Sequence, residues 1–350
     1  MNKSIFYLST CASLLVFSGC TKIFHPCSSG NIPSTSTLQT ELKTYVRHLS
    51  ETIGERHAYR SGSMESTAAY LEQEFRSMGY LVKRQAVRIP KEDKFGSVKD
   101  STVYNIIAWK SGSSPQAQTL IIGAHYDTKV GMDKWNSSGP PRPARIGTPG
   151  ANDNASGIAA MMAVAKALKN QTFANNACFV AYANEEPPFF HTESMGSTVH
   201  AKSALRQYGK DKILGMITLE SMGIYSPRVN KKRVSAFCAG LTGLTDRCDY
   251  VAFMSTNTGK EFSRECADLF VKSSRFPVRS VVFPYYTKGV SWSDDWSYMK
   301  QGIPSFAITD TAYLRSDDYH ETSDTWDKLD YPQFAEVTHG VIYLIQKLLR

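Results

Sequence analysis

"GANDNASGIAAMMAVAKALKNQTFANNACFVAYANEEPPFF", residues 150–190, holds a polar turn, an apolar helix pattern and a strand-like run that ends on two adjacent glutamates. The turn is rich in Asn, Asp, Ser and Gly, the residues that start helices or reverse chains. Residues 158–170 are apolar nearly all the way round, as in a helix buried on several sides. The strand-like run from 176 is too continuous in its apolar character to have a wet face, so it reads as an inner strand of a covered sheet. The same alternation extends outward. "TLIIGAHYD" (119–127) is a buried strand before the turn, and "SMGSTVHAKSALRQYG" (194–209) is a helix pattern after the glutamates. "ILGMITLESMG" (213–223) is a further strand, "WSYMKQGIPSFAITDT" (296–311) a short helix and strand, and residues 331–349 a C-terminal helix. Upstream, helices are expected over 38–52 and 65–78, and strands over 80–89 and 101–110. Strands separated by helices give the α/β class, with a mostly parallel sheet covered on both faces. Neither an internal repeat nor an internal linker interrupts 38–350, which reads as one catalytic domain.

The chain has 350 residues, 42% of them hydrophobic, and a formal net charge of +8. Its densest basic run is "NKKR" at 230–233, which is a solvated face rather than a nucleic-acid groove. The first residues, "MNKSIFYLSTCASLLVFSGC", combine an early lysine, an apolar run too short to span a membrane, and small residues just before Cys20. That pattern resembles a bacterial lipoprotein signal: residues 1–19 a signal peptide, Cys20 the lipidated residue, and 20–37 a Ser/Thr/Pro-rich tether. Phe17 is not the most usual residue of such a box, and an ordinary signal peptide is the alternative. Either way an exported protein is expected, held to a membrane of the cell envelope by a lipid rather than by a spanning helix. Export permits disulfides among Cys238, Cys248 and Cys266, whose pairing stays open, whereas Cys178 reads as a buried thiol.

In open α/β sheets the functional site forms at the carboxyl ends of the strands. Those ends carry His125 and Asp127, Asp153, Glu185 and Glu186, Glu220 and, late in the chain, His320. Carboxylates and imidazoles gathered there would repel one another without a cation, and two histidines with three carboxylates suit zinc. The adjacent glutamates divide the work. Neighbouring side chains of an extended segment point to opposite sides, so one can ligate while the other faces the water to be activated. Pro187 and Pro188 stiffen the exit from this pair.

"GAHYDT", "GANDNASGIAAMMAVAKAL", "YANEE", "ITLESMG", "SDDWSYMKQGIPSFAITDT" and "YHETSDTWDKLDY" stand in the order found in zinc-dependent aminopeptidases with co-catalytic metals. The chain resembles that family, whose relatives include glutaminyl cyclases and glutamate carboxypeptidases, over about residues 50–345. The resemblance implies a three-layer α/β/α sandwich around a mixed, mostly parallel sheet. It implies that His125 and Glu186 bind separate metals, that Asp153 bridges them, and that Glu220 and His320 complete the two sites. Glu185 resembles the general base, and Asp127 the partner that orients His125. Two positions depart from the pattern: Glu220 is commonly aspartate in the dizinc aminopeptidases, and Asp295 stands where a histidine often follows the aspartate. The longer carboxylate at 220 leaves open one zinc or two.

The expected reaction is removal of N-terminal residues from peptides, with a water activated by two zinc ions and Glu185 as base. Tyr285 or Tyr286 is a candidate donor to the oxyanion. Phe189 and Phe190 either wall a pocket for the first side chain or only close the core. Single-zinc glutaminyl cyclisation is the alternative, and a catalytically inactive peptide-binding surface lipoprotein is the alternative from another class.

Overall fold

The computed structural model describes residues 32–90, 101–131, 147–229, 247–284 and 292–350. The chain opens with helices α1 (Thr35–Arg47) and α2 (Ser63–Ser77), then strands β1 (Leu81–Ile89), β2 (Ser101–Lys110) and β3 (Thr119–His125). Helix α3 (Gly157–Leu168), strand β4 (Asn176–Tyr182), helix α4 (Gly196–Tyr208) and strand β5 (Ile213–Glu220) follow. A small hairpin of β6 (Ser226–Val229) and β7 (Arg247–Cys248) precedes β8 (Val251–Thr256), α5 (Lys260–Phe270) and β9 (Val278–Phe283). The chain closes with α6 (Asp295–Lys300), β10 (Ser305–Thr309), the single turn α7 (Ala312–Arg315) and α8 (Tyr331–Leu349).

Eight strands form one sheet in the order β1, β2, β4, β3, β5, β10, β8, β9. The central four, β4, β3, β5 and β10, are mutually parallel, and antiparallel pairings bring in β2 on one side and β8 on the other. The sheet is therefore mixed with a parallel centre, and all four central strands end on the same edge.

Strand β3 shows why both faces are covered, since all seven of its residues are buried. Leu120, Ile122 and Ala124 join the large core beneath α1, α2, α3 and α8, while Ile121 joins a smaller core with Ala201 and Ala204 of α4 and Tyr298 of α6. Successive side chains of a strand alternate between faces, so one short apolar run feeds two helical layers. Helix α3 is buried along almost its whole circumference because α1 and α8 lie over it. The result is the three-layer α/β/α sandwich.

Gly157, the first residue of α3, sets how closely this helix approaches the sheet. A Cβ there would lie 2.2 Å from the Leu219 carbonyl oxygen and 2.3 Å from Asn154 Oδ1, next to Glu220. Gly157→Ala is expected to destabilise the fold by roughly 1–3 kcal/mol through overpacking. Chemical denaturation checks this, and an unchanged midpoint would contradict the close approach.

Helix α1 starts at Thr35, capped by the Ser34 hydroxyl, so the expected tether boundary at 37 falls inside the helix. The expected helix over 38–52 divides into α1 and a wider turn, His48–Ile53. β8, α5 and β9, which no sequence pattern above announces, extend the sheet on its β10 side. Cys178, Cys248 and Cys266 are buried free thiols. Cys20, Cys238, Tyr285 and Tyr286 lie outside the described residues. Among the described residues, no helix is long and apolar enough to cross a membrane.

Candidate metal centre

Parallel strands deliver their last residues to one edge, and the site forms there. His125 ends β3 and Glu220 ends β5. Glu185 and Glu186 follow β4, Asp153 lies in the turn that leads into α3, and His320 sits in the loop after α7. Several of these exits are held in the left-handed region that non-glycine residues seldom adopt: Asn184 (φ 58°), Ser221 (φ 50°), Thr311 (φ 64°) and His320 itself (φ 65°). Backbone strain of this kind gathers where surrounding structure over-determines a functional geometry.

The side chains converge into two groups, His125–Asp153–Glu220 and Asp153–Glu186–His320, with Asp153 in both. His125 Nε2 lies 3.2 Å from Asp153 Oδ1 and 3.3 Å from Glu220 Oε2. His320 Nε2 lies 3.0 Å from Asp153 Oδ2 and 3.1 Å from Glu186 Oε1. One N–H shared between two oxygens makes two bent, weaker bonds, whereas a cation among three donors meets each of them directly. Tetrahedral zinc with bonds of about 2.0–2.1 Å sets its ligand atoms about 3.3 Å apart, so these separations fit. The two oxygens of Asp153 face different histidines, as a bridging carboxylate requires.

The electrostatics point the same way. Burial alone would disfavour the His320 imidazolium, but Glu186 and Asp153 outweigh it and raise its pKa to about 9. Burial also opposes charge on His125, yet Glu220 and Glu185 hold its pKa well above the ordinary histidine value. Asp153 is kept below the usual carboxylate range, against its own burial, by hydrogen bonds with both histidines. Without a cation, protons on the imidazoles balance the carboxylates, and binding a metal must release them.

A surrounding layer fixes the ligands. Asp127 partners His125 Nδ1 through its carbonyl oxygen at 3.1 Å, with its carboxylate Oδ1 at 3.5 Å. The carboxylate's hydrogen bonds go elsewhere: Oδ1 accepts from the Glu185 amide and Oδ2 from the Glu186 amide, both at 3.0 Å. Asp127 therefore orients the glutamate pair as well as the histidine, a role the sequence reading did not include. Glu220 is held at both oxygens, by Ser293 Oγ (2.7 Å) and Ser221 Oγ (3.0 Å), so its extra methylene does not leave it loose. Glu185 is 5% exposed, with Oε2 3.8 Å from His125 Nε2. Burial, and then Glu186 and Glu220, push its carboxyl well above the usual range, with His125 opposing.

Four supporting residues escaped the sequence reading. Asp324 accepts hydrogen bonds from the amides of Asn152 (2.9 Å) and Asp153 (3.1 Å). Asp310 accepts from the Asn152 side chain (3.0 Å), whose oxygen in turn accepts from the Gly223 amide (2.8 Å). Arg56, wholly buried, donates to the carbonyls of Tyr126 (2.7 Å), Pro149 (2.7 Å) and Gly150 (2.9 Å), tying the exit of β3 to the turn that carries Asp153. Asp310 and Asp324 lie within motifs quoted above, but nothing in their spacing distinguishes a support from an exposed acid.

The two phenylalanines part company. Phe189 is buried and stacks on Tyr59, with ring centroids 5.9 Å apart. Phe190 is half-buried and stacks on His191, which in turn stacks on Trp296. Neither lines the recess beside Glu220. Met254, Trp292, Tyr313 and Tyr319 form much of the wall of that recess.

The model of peptidase family M28 matches residues 105–345. An uncharacterised protein of Escherichia coli strain K12, YfbL, is 33% identical over 305 residues, covering 87% of each chain. Among solved structures, a zinc aminopeptidase from Bacillus subtilis superposes with a TM-score of 0.65 at 15% identity, covering 89% of this chain and 95% of that one. Glutaminyl cyclase from Bacteroides thetaiotaomicron gives 0.61 at 17% identity, covering 90% and 99%. At such identities the two structures establish a shared fold.

Proposed function

The chain belongs to peptidase family M28, and from that premise we propose that it is a zinc-dependent exopeptidase that removes N-terminal residues from peptides. The observation that carries this reading is the pair of ligand groups sharing Asp153, with the buried Glu185 carboxylate beside them. His125, Asp153 and Glu220 would hold one zinc, and Asp153, Glu186 and His320 a second. Zinc held there supplies Lewis acidity toward the scissile carbonyl and toward the attacking water. Glu185 accepts the water's proton and passes it to the nitrogen of the departing amine, acting as base and then as acid. Its burial among carboxylates raises its proton affinity, which that role requires. Asp127 keeps Glu185 and Glu186 in register by holding both amides.

The recess beside Glu220 receives the side chain of the first residue. Its Met, Trp and Tyr walls favour large apolar or aromatic side chains. Cyclisation of N-terminal glutamine on a single zinc is the second reading, and the glutamate at 220 is the feature that favours it. Metal analysis of the purified protein, with a leucine anilide and an N-terminal glutamine peptide assayed on the same sample, separates the two. Hydrolysis of the anilide, abolished by a chelator and restored by zinc, is expected. Cyclisation without hydrolysis would replace the first reading by the second, and bound zinc with neither activity would leave a binding protein.

From the N-terminal sequence we further propose a place in the cell envelope, anchored through a lipid on Cys20; the peptide partner follows from the exopeptidase reading.

A further inference from the structure

A second recess lies beside Glu186, whereas the aromatic recess lies beside Glu220. The two therefore adjoin different ligand groups of the centre. Tyr59, Val130, Pro187 and Phe189 give the second recess apolar walls. Its polar lining includes Asp127, whose two carboxylate oxygens already accept the Glu185 and Glu186 amides, and His57.

His57 is 5% exposed, and its Nε2 lies 3.2 Å from Glu55 Oε2. The other oxygen of Glu55 lies 3.2 Å from Arg60 Nη1, so the carboxylate meets a donor at each oxygen. The ring proton is therefore assigned to Nε2, which leaves Nδ1 a bare acceptor. That atom is buried and has no hydrogen-bond partner among the described residues. Burial also lowers the pKa of His57, against the pull of Glu55, and keeps the lone pair available. A buried acceptor without a donor is costly, and it is found where something else supplies the donor. Nothing in the mechanism above uses it.

We propose that the Glu55–His57 pair is a substrate-binding element on the leaving-group side, with His57 Nδ1 accepting the main-chain N–H of the third residue of a peptide. This rests on the exopeptidase reading, which assigns the first side chain to the recess beside Glu220 and so directs the rest of the peptide toward Glu186. Glu55 fixes the imidazole, and the stacked Tyr59 and Phe189 rings wall the space in which that residue lies. The chemical class is a peptide of at least three residues with an unsubstituted third amide.

The test compares the tripeptide Leu-Ala-Ala with its analogue ending in lactic acid, in which an ester oxygen replaces the third N–H. The zinc-loaded full chain is expected to cleave the tripeptide with a kcat/KM about tenfold higher, the difference lying in KM. In His57→Phe that ratio is expected to fall to near one. A ratio near one in the unaltered protein overturns the proposal whether or not the variant folds. A tenfold ratio that persists in the variant also overturns it, as does an equal loss on both substrates with the ratio kept, which would make His57 a structural residue. Failure to cleave either substrate counts instead against the exopeptidase reading, and the assignment falls with it.

Discussion

Glu185→Gln is expected to retain bound metal and to lose turnover by roughly 10²–10⁴-fold, the usual contribution of a positioned proton acceptor. The substitution keeps the shape of the side chain and removes only its basicity. The Asp127 hydrogen bond is made by the main-chain amide of residue 185, which the change leaves in place. Metal content by elemental analysis should therefore match that of the parent protein, while kcat collapses and KM changes little. This pairing separates a base from a ligand, because loss of a ligand would lower both metal content and activity. Retained turnover would sink the assignment. Loss of metal along with activity would move Glu185 into the ligand set and reopen the division of roles between the two glutamates.

Asp153→Ala should have the largest effect on metal binding, because this is the residue both groups share. Loss of a residue that merely supports a ligand costs roughly 10–100-fold in metal affinity, so removal of the shared ligand should cost more than about 100-fold. Both histidines would also lose their common partner, at 3.2 Å and 3.0 Å, leaving each with one carboxylate of its group. Glu220→Ala provides the comparison, since it touches only the group that contains His125. If both groups bind metal in the parent protein, Glu220→Ala should keep about one equivalent and Asp153→Ala almost none. Equal metal content in the two variants would mean that Asp153 does not join the sites.

Much of this molecule is legible in local sequence. Burial periodicity is a property of a few consecutive residues, so the strand "TLIIGAH" and the helix "GIAAMMAVAKAL" declare themselves without their neighbours. Residues at the strand ends can be named for the same reason: His125, Asp153, Glu185, Glu186 and Glu220 all stand next to such elements, whereas His320 lies in a loop. The strand–helix–strand unit of β8, α5 and β9 was not legible. β9 is an edge strand with a single buried residue, so its sequence shows no clear apolar run, and without that second strand the six-residue run of β8 does not separate a strand from a buried turn of helix.

The sequence by itself determined the α/β class, the parallel centre and which residues could bind a cation. Only the tertiary structure decided how they combine. Whether Asp153 faces one histidine or two depends on β3 lying between β4 and β5 and on Asp324 holding the turn before α3. The strand pairings join residues 57 to 95 positions apart and the Asp324 bond residues 171 apart, and no local pattern encodes them. The same holds for Asp127, whose carboxylate reaches across from β3 to the amides after β4. It holds also for the adjacent glutamates that end the opening stretch, because the local pattern shows two neighbours pointing to opposite sides and not which histidine each one meets. Strand order and the hydrogen bonds at the sheet edge separate them, placing Glu186 against His320 and Glu185 toward His125.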